Sequence, residues 1–275
     1  MSSAWDRYQS RLNASTDGSW QPYARHRRML TDAVLEAWTE TQGSDGPLVV
    51  LGAGNCNDLD LHAILGVSDD VLLLDVDDSA MARGLARQGI GTGGPVATRS
   101  ADVQDPRSTA GLDARVVLSA CMLTQLIDRV VVSSGHANFE RDLLQVRDEH
   151  LATMSRIAMD GGLCLLATDV VSSASCPRLL TVSGPSDLSD LLRDCLTTGN
   201  FFSGTNPHAI AVRLIQLGAS SVDVGTLWKW RLGDEERLVS LVRWRPHRPE
   251  LPIHAWTGAA STGNYFWAPA NATSN

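Results

Sequence analysis

The chain has 275 residues, 43% hydrophobic and 20% charged, with a formal net charge of −8. This composition supplies a full apolar core and excludes an intrinsically disordered chain. The acidity argues against a protein that grips nucleic acid or an anionic membrane through basic side chains.

The opening residues, MSSAWDRYQSRLNAS, lack the apolar core of a signal peptide, and no run approaches the ~20 apolar residues of a membrane span. A soluble, cytoplasmic protein with no membrane partner is expected. An amphipathic helix is predicted over 19–40, with Arg25, His26, Arg27 and Arg28 near its start. Residues 1–45 therefore read as a helical N-terminal cap.

Short apolar runs bounded by turn residues predict strands at 47–52, 71–75, 96–100, 114–119 and 162–168. Helical patterns fall between them, at 58–65, 79–88, 122–132 and 138–159. The strands are aliphatic throughout, as in parallel sheets buried on both faces. Alternation of strand and helix with short links gives right-handed crossovers and a doubly wound α/β core over 46–171. From residue 172 the pattern changes. Helices are predicted at 187–196 and 207–217, within a segment 172–225 on the substrate side. Strands at 222–232 and 237–245, joined by Gly-Asp-Glu-Glu, then form an antiparallel hairpin, its last part spanning 226–245. Residues 246–275 read as an extended surface tail with the aromatic cluster Tyr265, Phe266 and Trp267. All eight tryptophans lie before residue 39 or after residue 227, so aromatic ends flank an aliphatic middle. The five cysteines are widely spaced and form no Cys-x-x-Cys pair, which argues against a disulfide framework and a structural zinc site.

The motif with most chemical content is LVVLGAGNCNDLDL at 48–61. A buried strand ends in Gly52-Ala53-Gly54 and a helix follows, with Asn57 or Asp58 as its expected cap. Glycines here permit a tight turn and close approach of a ligand to the backbone, with amides and a helix N-terminus facing its polar part. Asp75 ends the second strand, where nucleotide-binding α/β folds place a carboxylate on ribose hydroxyls. Asp77 and Asp78 suit a cap and turn for the next helix. A dinucleotide dehydrogenase fits poorly. Its third small residue is replaced by Asn57, and the C-terminal half has no second wound lobe.

Together these features resemble the class I S-adenosylmethionine-dependent methyltransferases, over about residues 20–245. The resemblance implies a Rossmann-like, seven-stranded, mostly parallel sheet of order 3-2-1-4-5-7-6 with an antiparallel last strand. It also implies S-adenosyl-L-methionine as cofactor. By this likeness Gly52, Ala53, Gly54 and Asn55 surround the methionine moiety, Asp75 and Val76 the ribose, and Asp102 and Val103 the adenine. Ser119, Ala120 and Cys121 lie near the sulfonium, and Tyr23 or Arg27 of the first helix holds the cofactor carboxylate. Val50 stands where the family often has an acid.

Methyl transfer from a sulfonium needs alignment and exclusion of water more than a catalytic constellation. A (D/N)PPY motif is absent after the fourth strand, and Asn206-Pro207 reads as a helix start. Asp169 lies where metal-dependent O-methyltransferases place a ligand, but Ser119 stands where their second acid belongs, so no metal is expected. Cys121, Asp169 and His208 are the catalytic candidates, and Tyr23, Arg27, Phe201 and Phe202 the lid candidates. A small-molecule acceptor is the leading expectation. The alternatives are a protein methyltransferase and a non-catalytic, methyltransferase-like binding protein. The oligomeric state does not follow from these residues.

Overall fold

Four consecutive aliphatic residues form β1, Leu48–Leu51, and all four side chains are buried. Strand geometry sends alternate side chains to opposite faces: Leu48 and Val50 enter one core, Val49 and Leu51 the other. A strand that is apolar on both faces must be covered on both, and this places β1 at the centre of the molecule. The computed structural model describes residues 4–91, 93–133 and 138–247.

Along the chain the elements are α1 (Ala4–Ser15), α2 (Ala24–Glu40), β1, α3 (Leu61–Leu65), β2 (Val71–Asp75), α4 (Asp78–Arg87), β3 (Val96–Ser100) and β4 (Ala114–Ala120). They continue with α5 (Met122–Ser133), α6 (Phe139–Ile157), β5 (Ala158–Ser172), α7 (Pro185–Thr198), α8 (Pro207–Gln216), β6 (Ser220–Leu232) and β7 (Glu235–Arg245). The sheet has seven strands in the order β3-β2-β1-β4-β5-β7-β6. β1 to β5 pair in parallel, and β7 is antiparallel to both β5 and β6. The expected order is the observed one.

One face is packed by α2, α3 and α4 through Leu30, Val34, Leu61, Ile64, Met81 and Leu85. The other is packed by α5, α6 and α8 through Leu123, Leu126, Leu151, Met154, Ile210 and Leu214. A third cluster seats α7 on the end of β5 through Leu188, Leu191 and Val170. The two edge strands are the polar ones. β3 buries only Val96, and β6 alternates exposed with half-buried positions until the buried Trp228 and Trp230. Such edges are poor templates for further strand pairing.

Several expectations need correction at element ends. The helix after β1 starts at Leu61, and its cap is Asp60, whose side chain accepts the Ala63 N–H. Asn57 and Asp58 are engaged in tertiary contacts instead. The long N-terminal helix starts at Ala24 after a run of turns, and a separate helix, α1, precedes it. β5 extends in both directions beyond the apolar run that marked it. All five cysteines are buried and free. The tail expected over 246–275, with its aromatic cluster, lies outside the described residues beyond His247. Among the described residues no helix is long and apolar enough to cross a membrane.

Candidate functional site

β1, β2, β4 and β5 all end at one edge of the sheet, and the strand order reverses between β1 and β4. A crevice at such a reversal is where open α/β sheets take ligands. The chain leaves β1 through Gly52 and Gly54, both at positive φ (+75° and +47°). A Cβ on Gly52 would sit 3.1 Å from the Met122 side chain, so the turn needs glycine for space as well as conformation.

Asp75, at the end of β2, ties this turn to the next. Its Oδ2 accepts the Gly54 N–H at 2.8 Å and its Oδ1 the Asp77 N–H at 2.9 Å. A carboxylate accepts about four hydrogen bonds; with the Val76 amide also bearing on it, Asp75 retains capacity for about one more donor. Burial pushes the Asp75 carboxyl above its ordinary range, while the Asp77, Gly54 and Val76 amides pull the other way. Asp77 caps α4 by accepting the Ala80 N–H.

The close approach of helix to loop comes from a residue that the sequence pattern did not mark. At Gly84, within α4, an added Cβ would lie 2.3 Å from the Asn55 carbonyl oxygen. The signal was present as a lone glycine inside a helical run.

α1 lies across the crevice. The Asn55 side-chain amide donates to the Asn13 carbonyl and to Thr16 Oγ1, and the Asn57 amide donates to the Thr16 carbonyl at 2.7 Å. Arg87 joins Asn57 Oδ1 (2.8 Å) to Asp17 (2.6 Å). Asn13 itself donates to Asp77 at 3.3 Å, and its Oδ1 lies 3.1 Å from where a Gly54 Cβ would be. At the other end Trp5 faces the Arg129 guanidinium, 5.7 Å from the ring centre. Arg129 bridges Asp102 at 2.9 Å and donates to Gln104 at 2.8 Å. The helix thus spans from the Asp102 end to the glycine turn. Beside it, a groove of about 340 Å³ opens between α1 and α4, lined by Ser10, Ala14, Asp17, Asp77, Ser79 and Arg83.

The remaining cofactor candidates divide by position. Ala53, Val103 and Ala120 are buried among the core side chains, and Val76 is half-buried beside Asp75. Ser119 is fully buried with its hydroxyl 2.8 Å from His150 Nε2 of α6. Burial depresses the His150 pKa to about 4, so the imidazole is neutral. Arg27 lies flat on the Trp20 ring at 3.5 Å and donates to the Trp20 and Asn57 carbonyls. It therefore braces the glycine loop from below.

A second group of residues surrounds the end of β4. Cys121 follows that strand with φ +51°, a left-handed conformation that a non-glycine residue rarely adopts and that recurs at functional sites. Burial, then the charge of Asp169, push its thiol well above the usual range, so it is protonated. Asp169 is 1% exposed; Arg237 of β7 holds its Oδ2 and the Thr124 hydroxyl donates to its Oδ1 at 2.6 Å. Both oxygens of the expected metal-position acid are thus engaged. Phe202 packs under Arg237, 5.4 Å from ring centre to guanidinium, and its N–H donates to the Val170 carbonyl at 2.7 Å. Phe201 instead joins the α7 cluster. His208 is exposed at the start of α8, its backbone N–H donating to the cap Asn206.

Tyr23 and His26 enter this group from α2. Tyr23 sits edge-on to Trp230 at 5.2 Å, and His26 stacks on Trp230 at 4.4 Å. The Trp228 indole donates to His26 Nδ1 at 2.9 Å, which leaves the proton on Nε2, 3.3 Å from Asp58 Oδ1. Burial raises the Tyr23 hydroxyl beyond its ordinary range, so it is a proton donor and not a base. Arg237 and the tryptophan hairpin had no mark in the sequence that set them beside Asp169.

No protein-family model and no curated protein sequence matches the chain. Solved structures do. The N-methyltransferase NodS from Bradyrhizobium japonicum WM9, in complex with S-adenosyl-L-homocysteine, superposes with a TM-score of 0.52. It is 12% identical and covers 90% of this chain and 100% of its own. This chain has the fold of that methyltransferase. An O-methyltransferase family protein from Burkholderia thailandensis aligns at a TM-score of 0.48 and 16% identity, over 89% of this chain and 61% of its own.

Proposed function

We propose that the protein is an S-adenosylmethionine-dependent methyltransferase with a small-molecule acceptor. The observation that carries this reading is the Gly52–Gly54 turn held to Asp75 at the point of strand reversal, in a fold shared with NodS. The fit is chemical. Asp75 keeps acceptor capacity for a ribose hydroxyl. Asp102, with Arg129 across it, stands at the adenine end, and the backbone of 52–55 faces the methionine end. The cofactor brings a methyl group on a sulfonium that is already activated toward displacement.

What the chain contributes is position and dryness. α1 closes one side, and Tyr23, Phe202 and Trp230 close the acceptor side. Burial holds the Cys121 thiol protonated, and Asp169 is hydrogen-bonded by Arg237 and Thr124. The acceptor in this reading attacks without deprotonation by Cys121. In this reading residues 1–45 are a helical cap and residues 172–225 a substrate-side insertion.

One observation favours a second reading, a non-catalytic binding protein: Asn13 fills the approach to Gly54. Thermal shift with S-adenosylmethionine, S-adenosylhomocysteine and NAD separates the readings. A ligand at ~100 times its dissociation constant stabilises a fold by about 2.7 kcal/mol. The methyltransferase reading expects this for both sulfur ligands and no effect of NAD. Absence of a shift with both sulfur ligands rejects it.

A further inference from the structure

On the acceptor side, Trp230 Nε1 and Arg237 Nε are buried hydrogen-bond donors with no partner among the described residues. Trp230 and Arg237 are direct cross-strand neighbours on β6 and β7, so their side chains share one face of the hairpin. The indole Nε1–H of Trp230 and the Nε–H of Arg237 are both buried, and neither has an acceptor among the described residues. A buried donor left unsatisfied costs about 1–3 kcal/mol, and two adjacent ones are unusual in a native fold. The walls around them are rings: Tyr23 edge-on and His26 stacked on Trp230, and Phe202 under Arg237.

The charge at this place decides what can complete the pair. The Arg237 guanidinium is already neutralised by Asp169, and Glu235 lies 3.7 Å from its other terminal nitrogen. Asp58 stands behind His26 at 3.3 Å. An incoming carboxylate would meet carboxylates without a free cation to balance it, whereas a neutral carbonyl oxygen would accept both N–H groups without that repulsion.

We propose that Trp230 and Arg237 form an acceptor-recognition site for the neutral carbonyl oxygen of a planar aromatic molecule and discriminate against the corresponding carboxylate. This deepens the methyltransferase reading and rests on it. The site selects by leaving buried donors unpaired when the carbonyl is missing, the mechanism that gives polar sites their steepest selectivity.

The test is calorimetric titration of the S-adenosylhomocysteine-loaded protein with 4-hydroxyacetophenone and with 4-hydroxybenzoate, a matched ketone and acid. The ketone is expected to bind at least about tenfold more tightly, equivalent to 1.4 kcal/mol. Trp230→Phe, which keeps the ring and removes the donor, is expected to abolish that preference while S-adenosylhomocysteine affinity is unchanged. Arg237→Lys removes the Nε–H but keeps a cation for Asp169. It gives an independent check should the tryptophan variant fold poorly, and it is expected to weaken the ketone alone. Equal or tighter binding of the acid, no binding of either probe, or an unaltered preference in both variants overturns the inference. Loss of S-adenosylhomocysteine binding by the unmodified protein would instead overturn the parent reading.

Discussion

Asp75 holds two backbone amides from different turns with one carboxylate, and this dual role sets what its replacement does. Asp75→Asn presents an NH₂ group to one of those amides, so one bond becomes a donor–donor clash. We expect S-adenosylhomocysteine affinity to fall at least about tenfold, or 1.4 kcal/mol, and stability to fall by about 1–3 kcal/mol. Asp78→Asn, on the exposed side of α4, should change neither. Titration calorimetry and urea unfolding read the two effects separately. His150 makes a different prediction. Its folded pKa is depressed to about 4 by burial, whereas an unfolded histidine titrates near ~6.5. Between these values the unfolded chain binds a proton that the folded protein does not. Stability from this group is therefore complete above about pH 6.5 and is lost as pH falls toward about 4. Urea unfolding at pH 7 and pH 4.5 should show a larger acid loss in the parent than in His150→Gln, by roughly 2–3 kcal/mol. Equal losses would place the histidine outside the folding equilibrium.

At the scale of elements, α1 differs from the other helices. Among the described residues it contributes no buried apolar side chain to any of the three cores, and Gln9 is its one buried residue. It is held at Asn13 by Asn55 and Asp77, and through Thr16 and Asp17 in the turn that follows it by Asn55, Asn57, Arg83 and Arg87. Polar, partly exposed contacts open before apolar cores do. Hydrogen exchange should therefore show α1 amides exchanging orders of magnitude faster than those of α2, and slowing when S-adenosylhomocysteine is present. Asn57→Ala removes the bond to Thr16 and one from Arg87, and it should speed α1 exchange further while leaving α2 unaffected. Protection of α1 equal to that of α2 would contradict this picture.

The elements also show which parts of the structure were legible beforehand. β1, β2 and β4 are aliphatic runs ended by glycine, aspartate or small residues, and local pattern alone places them. The cap of α3 was not legible. Asn57, Asp58 and Asp60 are all short polar residues suited to capping, and the choice among them was made by tertiary bonds. Asn57 is drawn to Thr16, 41 positions away, and Asp58 to His26. The glycine turn and Asp75 could be read because a parallel sheet brings successive strand ends together. The pairing of Asp169 with Arg237, 68 positions apart, could not. It depends on β7 entering between β5 and β6, and arginines are too frequent in this chain for one to stand out.

For the whole molecule, the N-terminal cap and the C-terminal hairpin are joined through the site. His26 and Trp228 are 202 positions apart, and their bond at 2.9 Å is fully buried. Trp228 and Trp244 lie on opposite faces of the sheet with no exposure, so the aromatic ends of the chain build core as well as acceptor wall. Trp228→Phe should cost about 1–3 kcal/mol by leaving His26 Nδ1 without its donor, measured by urea unfolding. A loss confined to a few tenths would mean that water replaces the indole.

The central claim is that the turn after β1 and the carboxylate after β2 together bind the adenosyl part of the methyl donor. Titration of the full chain with S-adenosylhomocysteine tests it most directly. The account predicts saturable one-site binding that weakens at least about tenfold in Asp75→Asn and is retained in Asp78→Asn. Absence of binding by the unmodified chain, or equal affinity in both variants, would contradict it.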